Sequence, residues 1–148
     1  MAQADTGLSG LERIRAIRDG DAPQAPMALT LGFELERVEE GDASFLGEPA
    51  EKHLNPLGTI HGGLALTMLD SAMGCAVHTT LPPGKAYTTL ETKVNLVRPV
   101  TLETGAVRAE GRIVHRGSRI ATADGRLVAV ESGKLLAHGT STCMILGE

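Results

Sequence analysis

The chain has 148 residues, of which 42% are hydrophobic and 22% are charged, a composition typical of one soluble globular domain. Its net charge of −4 argues against non-specific nucleic-acid binding and against docking on anionic membranes, because both depend on basic surfaces. No run of about 20 apolar residues is present, so no transmembrane helix is predicted. Residues 1–10 lack a basic start and an apolar segment, so we expect no secretory signal and a cytoplasmic location.

The first predicted element is a short amphipathic helix. Ser9 and Glu12 have the spacing of a capping box, in which each side chain bonds the backbone N–H of the other residue. Apolar residues recur every third position over 11–17, and Gly20 is placed to end the helix. We expect residues 1–28 to form this helix and a lead-in.

Two strands are predicted next, over residues 29–38 and 42–49, with a turn signal at Gly41-Asp42. The segment 63–77 is apolar on almost every side and is long for a strand. That pattern predicts a helix that is buried on most of its surface.

The rest of the chain predicts four long strands, over 86–98, 104–115, 118–131 and 134–146. In 86–98 the two faces alternate with a period of two, which places Leu90 and Thr92 on the same face. Asp124-Gly125 is a competing hairpin signal, and we interpret it as a bulge because a turn there leaves two very short strands.

Consecutive strands joined by short turns predict an antiparallel sheet. A single sheet must curl around the apolar helix to bury it, so the predicted fold class is α+β. The sheet covers only one side of the helix. The other flank needs a cover, and we expect a second copy of the chain to supply it.

Asp70 is the clearest anomaly in the apolar helix, since it lies between Leu69 and Ala72. Burial of a carboxylate costs on the order of several kcal/mol unless the group is paired or hydrogen-bonded. Two interpretations stay open: a functional carboxylate, or a residue of one solvated stripe shared with Thr67 and Ser71.

The segment His61-Gly62-Gly63 stands where the helix begins. The two glycines have two possible roles. Their amides at a helix N-terminus can stabilise an oxygen that develops negative charge. The simpler interpretation is that the loop needs glycine for a backbone conformation with positive φ. His61 is a candidate base, ligand or structural residue, but no second His or Cys stands at metal-ligand spacing, so no metal site is predicted. Asn55 is by itself a turn former before Pro56.

A basic cluster, Arg116-Gly117-Ser118-Arg119, stands at a turn between strands, and Arg98 precedes a proline at another turn. The forked donors of arginine suit phosphate groups, although a solvated turn also explains either position. Cys75 and Cys143 lie in apolar segments outside any CxxC motif, so we expect two buried free thiols.

The stretch from Asn55 to Gly63 resembles the hotdog-fold acyl-CoA thioesterases, in the group named after the phenylacetate-degradation thioesterase. Members of that group carry an N-x-x-G-x-x-H-G-G loop and an acidic residue nine positions after the His, as Asp70 follows His61 here. Arg98-Pro99 and the segment 137–140 also match. The resemblance covers residues 29–146 and implies one hotdog domain over 29–148, an antiparallel sheet wrapped around one long central helix.

This resemblance implies hydrolysis of acyl-CoA thioesters, with coenzyme A as part of the substrate and no other cofactor. Asp70 resembles the general base or nucleophile at a dimer interface, and Gly62 resembles the amide that polarises the thioester carbonyl. Asn55 resembles the residue that orients water or thioester, and Thr89 resembles a hydroxyl supplied by the partner subunit. The implied catalytic set is Asp70, Gly62, Asn55, His61 and Thr89.

The implied substrate-binding set is Gly63, Thr88, Arg98, Arg116, Gly117, Ser118 and Arg119, with Thr88 as an alternative to Thr89. In some relatives a threonine follows the acid by one helical turn, but Gly74 occupies that position here. The family also implies a dimer, or a tetramer built as a dimer of dimers. Two other functions stay open: a hotdog hydratase or dehydratase that pairs His61 with Asp70, and a non-catalytic acyl-CoA-binding module.

Overall fold

The structure is a computed structural model that describes residues 7–147, so the expectations for residues 1–6 lie outside it. Its first helix, α1, covers Gly10–Asp19. The Ser9 hydroxyl accepts the Glu12 N–H at 3.3 Å, and the Glu12 carboxylate accepts the Ser9 N–H at 2.8 Å, which confirms the capping box. Gly20 ends the helix in a left-handed conformation, as predicted.

A second short helix, α2, covers Pro26–Leu31, so the prediction of a strand from residue 29 was wrong. Pro26 lies in the first turn, where its missing N–H leaves no helical hydrogen bond unmade. Gly32 ends the helix with a φ of 78°. A helix of six residues is too short for a helical repeat of apolar residues to stand out in the sequence.

Six strands form one sheet in which every neighbouring pair is antiparallel, in the order β1-β2-β4-β5-β6-β3. The strands are β1 Phe33–Glu39, β2 Asp42–Gly47, β3 Ala86–Leu96, β4 Val107–Arg116, β5 Ile120–Ala129 and β6 Leu135–Leu146. The predicted strands exist, but several are shorter than expected, and the first hairpin turns at Glu40–Gly41 rather than at Gly41-Asp42. Short 3₁₀ turns cover Glu51–His53 and Leu102–Thr104.

The central helix, α3, covers Gly62–His78 and extends one residue beyond the prediction at each end. It packs against one face of the sheet. A Cβ at Gly111 of β4 would lie 2.3 Å from the carbonyl carbon of Ala72, so the glycine permits a close approach of helix and sheet. The fully buried helix side chains include Met68, Leu69, Met73 and Val77. The α+β hotdog architecture is thereby confirmed.

The predicted bulge at Asp124-Gly125 was wrong. Asp124 pairs with Arg112 and Gly125 pairs with Gly111 in regular register. The Asp-Gly dipeptide favours a turn only locally, and the ladders on both sides of β5 keep the strand continuous through it.

Strand β3 contains a bulge that the sequence did not predict. Thr89 and Glu91 pair with consecutive residues of β6, so Leu90 is an extra residue in the strand. An extra residue inverts the alternation of faces beyond it. Leu90 therefore does not share a face with Thr92 as predicted, and its side chain is 52% exposed.

Within residues 7–147, no helix is long and apolar enough to cross a bilayer. Cys75 and Cys143 are free thiols, as expected. Cys143 is buried, whereas Cys75 is partly exposed as a whole residue although its thiol group is buried.

Candidate active site

The carboxylate of Asp70 lies halfway along α3 and faces β3. Its Oδ1 accepts hydrogen bonds from the hydroxyls of Thr89 and Thr92, each at 3.0 Å. Among the described residues, no donor contacts the second oxygen, Oδ2. One oxygen is therefore held by two donors, and the other remains free for chemistry.

The two donors reach Asp70 because of the bulge in β3. Residues three apart in a regular strand point to opposite faces, but the extra residue Leu90 places Thr89 and Thr92 on the same face. The sequence analysis missed Thr92 for this reason. The Thr89 hydroxyl, predicted as a contribution from a partner subunit, donates to Asp70 of its own chain, so Thr89 and Asp70 belong to the same group of side chains.

The surroundings of Asp70 combine the two interpretations that the sequence left open. Thr67 and Ser71 flank it on a partly solvated helix stripe. This stripe and β3 enclose an open depression. Apolar side chains form part of its rim: Met27, Leu66 and Leu90.

His61 caps the N-terminus of α3. Its Nδ1 accepts the Gly63 N–H at 2.8 Å, so the amide of Gly63, predicted to bind substrate, is already engaged. Gly62 is the first helical residue, and the N–H at that position has no acceptor within the helix. Of the two glycine amides, that of Gly62 has no acceptor among the described residues, and it lies at the positive end of the helix dipole.

The loop before α3 is held in place by His53, which is buried. The His53 carbonyl accepts the His61 N–H at 2.8 Å. The His53 ring bonds the backbone on both sides, since Nδ1 accepts the Ala50 N–H at 3.0 Å and Nε2 lies 2.7 Å from the Leu31 carbonyl oxygen. With Nδ1 as an acceptor, His53 carries its proton on Nε2.

Asn55 shapes the same loop. Its Oδ1 accepts the N–H groups of Leu57 and Thr59, and its Nδ2 donates to the Thr59 hydroxyl at 2.8 Å. These bonds fit the turn-forming interpretation. An amide nitrogen carries two hydrogens, so one Nδ2 hydrogen is left to orient a bound molecule.

A cavity of about 290 Å³ opens beside Gly62. Asn55 and Arg98 lie among the residues that line it, and most of its other walls are apolar. A Cβ at position 62 would lie 2.7 Å from Cδ1 of Leu96, so glycine leaves space that another residue would fill. The apolar walls include Ile60, Leu64, Ala65, Val100, Val107, Leu127 and Leu136.

Gly62 and Asp70 do not meet within one chain. They are eight residues apart on one helix, a separation of about 12 Å along its axis. Asp70 is also absent from the residues that line the cavity. Each chain therefore carries two separate groups of candidate residues: the Gly62 amide with its cavity, and the Asp70 carboxylate with its two threonines.

The predicted basic turn connects β4 to β5. Arg116 is the last residue of β4, and the Gly117 N–H donates to the Ile120 carbonyl oxygen at 2.8 Å. Ser118 and Arg119 are exposed. Within the described part of the chain, no carboxylate forms an ion pair with Arg116 or Arg119.

This turn lies at the end of the sheet where β3 begins, because Ile120 pairs with Met144 and Met144 pairs with Thr88. It belongs to the same end as the exposed Thr88. Arg98 lies at the opposite end, beside the cavity, where its guanidinium donates to the Leu135 carbonyl oxygen at 2.8 Å.

Gly74, one helical turn after Asp70, leaves space that Tyr87 occupies. A Cβ at position 74 would lie 2.3 Å from the Tyr87 hydroxyl oxygen. Burial raises the pKa of Tyr87 well above its ordinary value, so the phenol stays protonated. The position that holds threonine in some relatives is thus filled by a side chain of β3.

The two thiols are unsuited to act as nucleophiles. Burial raises the pKa of Cys75 to about 12, and burial also raises the pKa of Cys143. Both groups are protonated at neutral pH, and the thiolate is the reactive form. No group of three His, Cys, Asp or Glu side chains within residues 7–147 is arranged to hold a metal ion.

The family model of the thioesterase superfamily matches residues 57–136, which is more than half of the chain. Acyl-coenzyme A thioesterase 13 of Mus musculus is 32% identical over 92 residues, covering 62% of this chain and 64% of that protein. Three of the curated relatives are matched over 61%, 64% and 64% of their length, so the chain spans less than two thirds of them.

Two solved structures show the same fold at higher coverage. A phenylacetic acid degradation-related protein from Ralstonia eutropha has a TM-score of 0.79 and 31% identity, covering 88% of this chain and 98% of that one. A variant of the phenylacetic acid degradation protein PaaI from Thermus thermophilus has a TM-score of 0.73 and 30% identity, covering 81% of this chain and 98% of that one.

The capping geometry predicts how substitutions of His61 affect stability. His61→Ala removes the acceptor for the Gly63 N–H and should lower the free energy of unfolding by about 1 kcal/mol. His61→Asn should lower it much less, because asparagine is a favoured N-cap residue. Urea denaturation measures both, with the exposed His138→Ala as the control. Equal losses in His61→Ala and His61→Asn would contradict the capping role.

Proposed function

Because the chain belongs to the thioesterase superfamily, we propose that it hydrolyses acyl-CoA thioesters to a free acid and coenzyme A. The proposal depends above all on Asp70, a carboxylate in an apolar helix with one oxygen bound by two hydroxyls and the other free. The name of the mouse relative, an acyl-coenzyme A thioesterase, supports the same chemistry.

The reaction needs a donor for the developing oxyanion and an activated oxygen nucleophile. The thioester carbonyl accepts a hydrogen bond from the Gly62 N–H at the positive end of α3. Oδ2 of Asp70 either takes a proton from the attacking water or attacks the carbonyl carbon itself. The C–S bond then breaks, and the thiolate of coenzyme A leaves and takes up a proton. Where Asp70 is the nucleophile, a water molecule then attacks the acyl–Asp70 anhydride, which releases the free acid and restores the carboxylate. Asn55 uses its remaining amide hydrogen to orient the water or the thioester.

Two copies of the chain are needed to bring these groups together. Gly62 and Asp70 are held apart by the helix that carries both, so the amide of one copy must act with the carboxylate of the other. Strand β3 supports this association, because it is an 11-residue strand at the edge of the sheet with an exposed Leu90. An open edge of this length pairs readily with another strand. Pairing around a two-fold axis completes two sites at once.

The acyl group occupies the cavity beside Gly62. A cavity of about 150 Å³ with aliphatic walls is known to hold benzene, and the cavity here measures about 290 Å³. An aryl group or an aliphatic chain of medium length therefore fits its size and its apolar walls. A panel of acyl-CoA substrates distinguishes the two.

The phosphates of coenzyme A bind the basic turn at Arg116 and Arg119. The protein is net acidic, so attraction must come from a local cluster rather than from the overall charge. The turn lies at the same end of the sheet as Thr88, and Thr88 belongs to β3, the strand that also carries the Asp70 donors. Arg98 is the weaker candidate, because its guanidinium already donates to Leu135.

Asp70→Asn tests the proposed reaction. The amide keeps the size of the side chain but cannot take up a proton or attack, so we expect turnover to fall by about 10²- to 10⁴-fold with little change in substrate binding. A thiol reagent measures the release of free coenzyme A, and the exposed Asp124→Asn serves as the matched control. Near-normal turnover in folded Asp70→Asn would contradict the assignment.

The same sample distinguishes the other two functions. A change in enoyl absorbance without thiol release would identify a hydratase. Binding of acyl-CoA without any turnover in the unaltered protein would identify a binding module.

Substitution of the basic turn tests the phosphate site. Arg116→Ala and Arg119→Ala should each raise KM for acyl-CoA by about two- to tenfold and leave kcat nearly unchanged, because the phosphates lie far from the reacting carbonyl. The effect should diminish at high salt. A truncated thioester without the nucleotide should show no penalty, and Arg126→Ala is the control. Equal losses on both substrates would place the phosphate site elsewhere.

A further inference from the structure

We infer that Thr92 is a positioning residue for Asp70, and that it makes Oδ2 the reacting oxygen; this inference rests on the proposed function of Asp70. Thr92 lies on β3 and donates its hydroxyl hydrogen to Oδ1 of Asp70 at 3.0 Å. It reaches that oxygen only because the bulge at Leu90 rotates it to the inner face.

Two donors constrain the carboxylate more than one donor does. The terminal torsion of an aspartate is broad, so a single hydrogen bond leaves the carboxylate free to rotate and to exchange its oxygens. Thr89 and Thr92 converge on the same oxygen from two points of β3. Together they occupy both lone pairs of Oδ1 and leave Oδ2 without a donor among the described residues.

The side chain of Thr92 has little freedom to move. Its Oγ1 lies 3.4 Å from Oγ of Ser141, a residue of β6 that is 1% exposed. Ser141 donates to the carbonyl oxygen of Glu91 at 3.2 Å, so it is partnered without Thr92. Threonine is also branched at Cβ and has few side-chain conformations. Branching at Cβ therefore limits the movement of Thr92, and loss of the Thr92 hydroxyl leaves Ser141 paired with Glu91.

The test compares Thr92→Val, which removes the hydroxyl and keeps the shape, with Thr92→Ser, which keeps the hydroxyl. We expect kcat to fall about 5- to 30-fold in Thr92→Val with KM within about twofold of the unaltered protein, and to be largely restored in Thr92→Ser. Thr140→Val, on the neighbouring strand β6 and exposed, is the control for a threonine-to-valine change in this sheet.

A second comparison shows whether Thr92 acts through Asp70. In the Asp70→Asn protein, Thr92→Val should cause no further loss of kcat, because the group that it positions is already inactive. If Thr92→Val does not fold, Thr92→Ala against Thr92→Ser provides the same comparison.

The outcomes separate the two proposals. Unchanged kcat in Thr92→Val, together with an inactive Asp70→Asn, overturns the positioning role and leaves the proposed function intact. A kcat loss that Thr92→Ser does not restore also overturns it. Full activity in Asp70→Asn overturns the proposed function and this inference with it.

Discussion

Asp70 places a carboxylate within an apolar helix, and such a group needs donors to replace the water that it loses. In this structure the donors are hydroxyls of β3. A regular strand would present one of them to Asp70, and the bulge at Leu90 presents two. The local irregularity of one strand thus sets the orientation of the carboxylate. The free oxygen of Asp70 lies beside β3. This strand is at the edge of the sheet and carries the exposed Leu90.

The rigidity of α3 imposes the second constraint. Its N-terminus carries the Gly62 amide, which has no acceptor within the helix, and its middle carries the Asp70 carboxylate about 12 Å away. A straight helix cannot bring these groups to one carbonyl carbon. In the proposed dimer, association of two copies around a two-fold axis forms two complete sites. Each copy contributes its amide to one site and its carboxylate to the other. The proposed dimer is therefore required for catalysis, because a single copy cannot place both groups at one thioester.

Much of this arrangement could be predicted from the sequence, because strong patterns determine it. An apolar run of helical length predicts α3. Within and before that run, the polar Asp70 and the His61-Gly62-Gly63 segment could be recognised as candidate functional residues. The errors have a common cause in local geometry that leaves a weak pattern. Six residues of α2 show no clear helical repeat, and a bulge cannot be recognised from alternation alone. Thr92 was missed because a regular strand would direct it away from Asp70.

The central claim, that Gly62 of one copy acts with Asp70 of the other, is tested most directly by mixing two inactive variants. Gly62→Pro removes the N–H at a position where proline suits a helix, and His61 already has the extended backbone that precedes proline. Because proline also adds a Cβ that meets Leu96 beside the cavity, Gly62→Ala, which adds the same Cβ and keeps the N–H, is the control. Its partner in the mixture is Asp70→Asn. If the site is shared, random mixed dimers should recover about a quarter of the normal thioesterase activity, because half of the dimers contain one intact site out of two. No recovery in verified mixed dimers would contradict the shared site.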